Sequence, residues 1–328
     1  MKIFVTGGNG FLGSNLIREL INREHELCVL VQPGSKVDTL KGLRLGIAVI
    51  DILNFNSLKA AAKDSEAIFH LAACTSLWPA RSEIVTKVNI EGTQNILHLA
   101  KELDVKRLVH VGTANTFGFG TKENPGREDT EYMGFQYGLD YLDSKWKAHQ
   151  LVMEAVREGV PALIVNPTSL LGEYDSKPNF GAMILAIYAQ KLPGSGPGGR
   201  NYINVKDAVK GIANALDKGK IGESYIIGNE NLSYREVFVK IASVLELKSP
   251  TRRVPKWGML AYGRIGSSIA SITGRRPTVS FPMAKIACDA HYFSSEKAVR
   301  DLDLPQTPIE EGILDSFEWL KSNGYIKT

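Results

Sequence analysis

Cysteine is nearly absent: Cys28, Cys74 and Cys288 are the only three in 328 residues. They stand far apart and show no metal-ligand spacing. Neither a disulfide framework nor a thiolate metal centre is expected, and so sparse a count suits a reducing compartment. Histidine is scarce too, with six in all; His70 reads as a packed strand residue and the other five form no metal-ligand pattern. Charge of either sign is barely in excess, at 39 Lys and Arg against 35 Asp and Glu. That balance is too mild for a nucleic-acid binder, yet compatible with an anionic cofactor or substrate. No apolar run reaches the ~18 residues of a membrane-crossing helix. The nearest, 257–273, is interrupted by Gly258, Gly263, Arg264 and Gly266; it reads as a buried or lobe-capping helix, with a membrane-surface helix as the alternative. The chain opens on one lysine and a glycine-rich turn rather than a signal-peptide pattern, so a cytoplasmic protein is expected.

What the chain does have is a recurring alternation of short apolar runs and helical patterns. Strand-like runs fall at 2–6, 27–31, 47–50, 67–71, 107–112 and 162–166, and helical patterns at 11–23, 80–102 and 141–158. This predicts an α/β fold with a Rossmann-type doubly wound parallel sheet. Strands that are apolar throughout suit a sheet buried on both faces. Beyond Asn166 the alternation decays, and the glycine- and proline-dense stretch 191–201 reads as a loop. The expected organisation is a dinucleotide-binding unit over 1–170, with 202–228 returning to it. A smaller, mainly helical substrate lobe is expected over 171–201 and 229–328.

Gly7, Gly10 and Gly13 lie between the first strand and the first helix. Glycine there allows a tight turn and lets backbone N–H groups approach a pyrophosphate at the positive end of the helix dipole. The spacing is G-x-x-G-x-x-G rather than G-x-G-x-x-G. A ligand-free turn is the bland reading, and the motif's place in a βαβ unit argues for a dinucleotide. The second strand runs out at Val31 and Gln32, where an NAD-selective site usually sets an acid to hold the adenosine ribose. With no negative charge to repel a 2′-phosphate, and with Gln32, Ser35 and Lys36 able to hydrogen-bond it, the expected cofactor is NADP, with NAD possible.

Tyr141 and Lys145 share a helix face at i, i+4. A free phenol ionises near pH 10, and an adjacent ammonium is expected to lower that value. The lysine can also hydrogen-bond a nicotinamide ribose. An isolated Tyr-x-x-x-Lys pair fits a solvated helix face equally well. Thr113 tips the reading, because it follows the strand at 107–112, and ligands of open α/β sheets bind beyond the carboxyl ends of strands. A turn-capping threonine is the alternative.

Taken together, Val5-Thr6-Gly7-Gly8-Asn9-Gly10-Phe11-Leu12-Gly13, Asp51-Ile52, His70-Leu71-Ala72-Ala73, Asn89-Ile90-Glu91-Gly92-Thr93, Val111-Gly112-Thr113, Tyr141-x-x-x-Lys145 and Asn166-Pro167 resemble the extended short-chain dehydrogenase/reductases, the NAD-dependent epimerase/dehydratase superfamily. The resemblance spans nearly the whole chain. It is greatest to the branch of dihydroflavonol 4-reductase-like proteins and hopanoid-associated sugar epimerases. It implies Thr113, Tyr141 and Lys145 as the catalytic triad. Gly7, Gly10, Phe11, Leu12, Gly13 and Gln32 would lie along the dinucleotide. Asp51 would bond the adenine amino group with Ile52 beside the ring. Leu71, Ala72 and Ala73 would line the adenosine and ribose channel, and Asn89 would stand behind the nicotinamide end. The branch often carries arginine where Gln32 stands, and many members carry serine in place of Thr113.

Residues 114–140 form a long link rich in aromatics, among them Phe117, Phe119, Tyr132, Phe135 and Tyr137, placed either as a pocket wall or as ordinary packing. Arg252, Arg253, Lys256, Arg275 and Arg276 give the second lobe a basic bias, either a solvated face or a seat for an anionic substrate group. Two reactions fit one triad: reduction of a ketone or aldehyde, or epimerisation or dehydration of a nucleotide sugar. A dinucleotide-sensing protein without chemistry is the third reading. A homodimer through 80–102 and 141–158 is expected by resemblance, with a small-molecule carbonyl or sugar-type substrate.

Overall fold

Successive strand side chains point to opposite faces, so an apolar run of single-residue regularity needs cover on both sides. In the computed structural model, which describes residues 1–178 and 180–326, the runs become β1 (Lys2–Thr6), β2 (Glu26–Val31), β3 (Gly46–Val49), β4 (Ala67–His70), β5 (Arg107–Val111) and β6 (Ala162–Pro167). Three further strands follow: β7 (Ser169–Leu171), β8 (Gly199–Asn204) and β9 (Ser224–Ile227). Seven of the nine form a parallel sheet in the order β3-β2-β1-β4-β5-β6-β9. Ile3, Val5, Val29, Phe69, Val109 and Val165 face one way. Phe4, Leu30, Ile68, Leu108 and Ile164 face the other.

The first face is covered by α1 (Phe11–Asn22), through Leu16, Ile17 and Leu20, and by a helix met later in the chain. The second is covered by α2 (Phe55–Ala61), α3 (Glu83–Glu102) and α4 (Asp140–Arg157), through Leu58, Ile96, Leu99 and Val152. Strand order reverses between β1 and β4, which opens a crevice beyond their carboxyl ends.

After α5 (Phe180–Tyr188), β8 builds a second, smaller sheet. It pairs in parallel with β7, antiparallel with β10 (Glu230–Ser233) and in parallel with β11 (Ala290–His291). The chain returns to the large sheet with α6 (Val205–Asn214), packed beside α1 through Val209 and Ile212, and then β9. Residues 202–204, expected in the first unit, are therefore strand in the smaller sheet. The small lobe adds α7 (Tyr234–Val244), α8 (Lys256–Thr273), α9 (Phe281–Cys288), α10 (Glu296–Leu302) and α11 (Ile309–Ser322). Its core gathers Phe180, Ile184, Tyr202, Val237, Ile241, Ile313 and Leu320. Ser233 and Glu236 close a reciprocal capping box at the start of α7. The helix α10 is not confined to that lobe: Ala298 and Leu302 pack into the large sheet's core. Residues 179, 327 and 328 of the expected second lobe lie outside the described residues.

Candidate active site

The turn between β1 and α1 has the geometry only glycine permits. Gly7 sits at φ +73°, and a Cβ there would stand 2.7 Å from the Ala72 backbone nitrogen. A Cβ on Gly13 would stand 2.3 Å from the Gly7 carbonyl oxygen. Gly10 caps α1 without a side-chain acceptor, and the first turn holds no acidic residue. The leading N–H groups, those of Phe11, Leu12 and Gly13, therefore lack intrahelical partners at the positive end of the helix. That arrangement fits a pyrophosphate. Gly13→Ala is expected to cost about 1–3 kcal/mol from backbone overpacking and to abolish dinucleotide binding; thermal melting with and without dinucleotide checks both.

The loop after β2 clamps onto this turn. Asn9 Nδ2 donates to the Lys36 carbonyl at 2.9 Å, and the Arg18 guanidinium donates to the Ser14 and Thr39 carbonyls, each at 2.7 Å. Gln32 and Lys36 are exposed. Ser35 spends its hydroxyl proton on the Gln32 carbonyl at 2.6 Å, so it is no free donor for a 2′-phosphate. Asp51 follows β3 and is exposed, with Oδ1 accepting from Leu53 N at 2.9 Å. Ile52 is buried against the Gly92 position of α3. Leu71, Ala72 and Ala73 lie half-buried beyond β4, with Ala72 N donating to Thr6 Oγ1 at 3.1 Å.

His70 is locked into this frame. Thr93 Oγ1 donates to the Asn89 carbonyl at 2.7 Å, so it accepts from His70 Nε2–H at 3.1 Å. Nδ1 is then the acceptor for Thr6 Oγ1–H at 2.8 Å. Burial depresses the His70 pKa to about 3, which keeps the ring neutral and structural. Asn89 is 2 % exposed. Its Oδ1 accepts from Cys74 N at 2.7 Å, and its Nδ2 donates to the Cys74 carbonyl at 3.1 Å and to Ser144 Oγ at 2.9 Å. It therefore ties the loop after β4 to the residue preceding Lys145, a positioning task inside α3 rather than a helix cap.

Lys145 is 5 % exposed, and its Nζ donates to the Val111 carbonyl at 2.8 Å. Burial lowers its pKa to about 8. Thr113 caps the short 3-10 turn Ala114–Thr116 at the end of β5. Tyr141 lies deep in the cleft with part of its surface still open to solvent. Burial raises the Tyr141 pKa, while a hydrogen bond with Thr113 and the charge of Arg200 pull it down. The expected acidifying effect of Lys145 on Tyr141 is not what the structure shows: the ammonium is engaged by Val111, and Thr113 and Arg200 exert the downward pull.

Arg200 is the residue that sequence reading missed. It stands on β8, with Nε donating to the Tyr234 hydroxyl at 3.0 Å, and has no carboxylate partner among the described residues. The glycine-rich stretch 191–201 masked it, because β8 begins inside that stretch. The basic residues singled out instead, Arg252, Arg253, Lys256, Arg275 and Arg276, are all exposed. Beside Arg200, the Tyr137 hydroxyl donates to Asp289 Oδ2 at 2.8 Å and so accepts from His291 Nε2 at 3.2 Å. The other His291 nitrogen is buried without a partner. Phe119 lies 4.3 Å from the His291 ring.

The link's aromatics divide. Phe119 and Tyr137 gather round His291. Phe117 is packed with Ala114, Ile226 and Phe293. Tyr132 stacks on Trp146 of α4 at 5.4 Å, and Phe135 is 70 % exposed.

A glycine cradle at an uncapped helix terminus, with a lysine and a tyrosine on one helix face beyond the switch point, defines a nicotinamide-dependent enzyme of the short-chain dehydrogenase/reductase type. Residues 3–228 match the model of the NAD dependent epimerase/dehydratase family, and the chain belongs to that family as an NAD(P)-dependent oxidoreductase. A Synechocystis protein carrying the provisional name dihydroflavonol 4-reductase is 32% identical, covering 99% of this chain and 96% of its own. The crystal structure of gox2253 superposes with a TM-score of 0.87 at 31% identity, over 99% of each chain. A nucleoside-diphosphate-sugar epimerase from Pseudomonas aeruginosa shares the fold, with a TM-score of 0.81 at 24% identity over 100% of this chain and 99% of that one.

Proposed function

We propose that the protein is an NADPH-dependent reductase of a ketone or aldehyde, with Tyr141 as the proton donor. One observation carries this reading: the Tyr141 phenol is enclosed, has its pKa raised by burial, and meets Thr113 beyond β5. A phenol held protonated at neutral pH suits net reduction, which consumes a proton. A reduced nicotinamide held there would supply the hydride. As the C=O π bond breaks, Tyr141 Oη gives its proton to the oxygen and is reprotonated from solvent through the cleft. The Thr113 hydroxyl holds that oxygen beside Tyr141. Lys145 would hold the ribose at the nicotinamide end, and the charge of Arg200 favours the transient phenolate. The dinucleotide would lie along Gly7, Gly10, Phe11, Leu12 and Gly13, with Asp51, Ile52, Leu71, Ala72 and Ala73 on the adenosine side. Fluorescence titration with NADPH and NADH tests the reading, followed by a panel of carbonyls and nucleotide sugars watched at the reduced-nicotinamide absorbance. Turnover of a carbonyl supports it; a changed sugar configuration without net oxidation or reduction refutes it.

NADP is favoured because no acid follows β2, and Gln32 and Lys36 are exposed there as donors. Gln32→Asp is expected to weaken NADPH relative to NADH by at least about tenfold, read from the two dissociation constants. An unchanged ratio would remove Gln32 from the adenosine pocket.

A nucleotide-sugar epimerase or dehydratase is the second reading, and Arg200 favours it. A guanidinium in the cleft without a carboxylate partner suits a diphosphate.

A further inference from the structure

Helix α8 has two unlike sides. On the inner side it lies close on α9 and the segment before it. A Cβ on Gly263 would stand 2.5 Å from Ala284 Cβ, and one on Gly266 would stand 2.6 Å from the Val279 carbonyl oxygen. On the outer side Trp257, Tyr262, Ile265, Ile269 and Ile272 are 76%, 55%, 60%, 55% and 86% exposed. At 3.6 residues per turn these five fall within a continuous arc of about 140°. Single exposed apolar residues are ordinary, whereas a contiguous face of this kind marks an interaction surface.

Charge identifies what the face meets. From 247 to 288 there is no Asp or Glu, but there are eight Lys and Arg, while the rest of the chain is net acidic. Arg252 and Arg253 precede α8, Arg264 lies within it, and Arg275 and Arg276 follow it. All five are exposed and none has an ion-pair partner among the described residues. No helix among the described residues is long and apolar enough to cross a membrane. An apolar arc bordered by unpaired cations, on a helix that cannot span, matches an interfacial helix.

We propose that α8 docks the protein on an anionic lipid bilayer. The indole of Trp257 and the side chains of Ile265, Ile269 and Ile272 enter the headgroup boundary, and the flanking arginines meet lipid phosphates. Lys256 at the start of the helix stands 3.8 Å from Asp289, which accepts the Tyr137 hydroxyl, so the bilayer would lie beside the cleft mouth. The docking is independent of the reaction carried out in the cleft.

Vesicle flotation of the full chain tests this. The protein is expected to float with phosphatidylcholine vesicles containing about 30% phosphatidylglycerol, and at least about tenfold less with phosphatidylcholine alone or in about 1 M salt. The double variant Ile265→Glu/Ile272→Glu should lose flotation with its melting temperature and circular dichroism unchanged, since both side chains already face solvent. Three results would overturn the proposal. One is no flotation with either vesicle. Another is flotation indifferent to lipid charge and salt. The third is a dimer that the double variant dissociates while vesicles capture neither protein, which would assign the face to a second copy of this chain.

Discussion

Tyr141→Phe is expected to lower kcat by about 10²–10⁴-fold, the usual contribution of a positioned proton donor, with dinucleotide affinity within about twofold of the wild type. The substitution removes one oxygen from a ring held by packing, so the fold has no reason to change. Leu142 and Leu139 are buried beside it, and Tyr137 fixes the preceding turn through Asp289. The residual rate should lose the alkaline limb that ionisation of the phenol imposes on reduction. Equal loss of turnover and of dinucleotide binding would mean that Tyr141 holds the cofactor instead of moving a proton. No turnover in the wild type, with dinucleotide binding kept by the variant, would fit a sensing protein.

Lys145→Met carries the second large effect, with opposite signs for activity and stability. Turnover is expected to fall by about 10²–10³-fold, as when a preorganised charged donor is removed. Stability near neutral pH is expected to rise. The ammonium is 5 % exposed and its folded pKa is about 8, below the ordinary 10.5. A depressed folded pKa makes the unfolded chain bind more protons between those values, so wild-type stability increases as pH rises from 8 to 10.5. Below pH 8 the full cost of burying the charge, on the order of 3 kcal/mol, is present in the wild type. Methionine removes that cost and forfeits the bond to Val111 at 2.8 Å, leaving a net gain of about 1–2 kcal/mol. Melting curves across pH should show the advantage of the variant largest below pH 8 and shrinking towards 10.5. A variant less stable than the wild type at pH 7 would show that the buried ammonium is a structural bond rather than a stored functional strain.

The parts of the molecule that were legible beforehand follow local rules. Apolar runs at 2–6, 107–112 and 162–166 became central strands because a sheet buried on both faces favours apolar residues at most positions. Gly7 and Gly13 announced a turn because each stands where a Cβ would strike backbone. Tyr141 and Lys145 were visible because helical spacing is fixed. What stayed hidden depends on contacts between distant segments. Arg200 was lost because glycine and proline at 193–199 signal a loop, whereas pairing with β10 and β11 extends β8 back to Gly199. Helical spacing pairs the Lys145 ammonium with Tyr141; the Val111 carbonyl that takes it comes from β5, 34 residues away in sequence. The aromatics of 114–140 divided between core, surface and cleft because their orientation is set by Phe293 and His291, far along the chain, and by Trp146 on α4.

The most direct test of net carbonyl reduction at Tyr141 follows the label from NADPH deuterated at nicotinamide C4 through a complete turnover with a carbonyl substrate. Mass spectrometry is expected to find one deuterium on the new carbinol carbon for each NADPH oxidised, with transfer slowed by about 10²–10⁴-fold in Tyr141→Phe. Label that stays on the nicotinamide while a nucleotide sugar changes configuration would contradict a reductase and assign this site to internal redox cycling on the sugar.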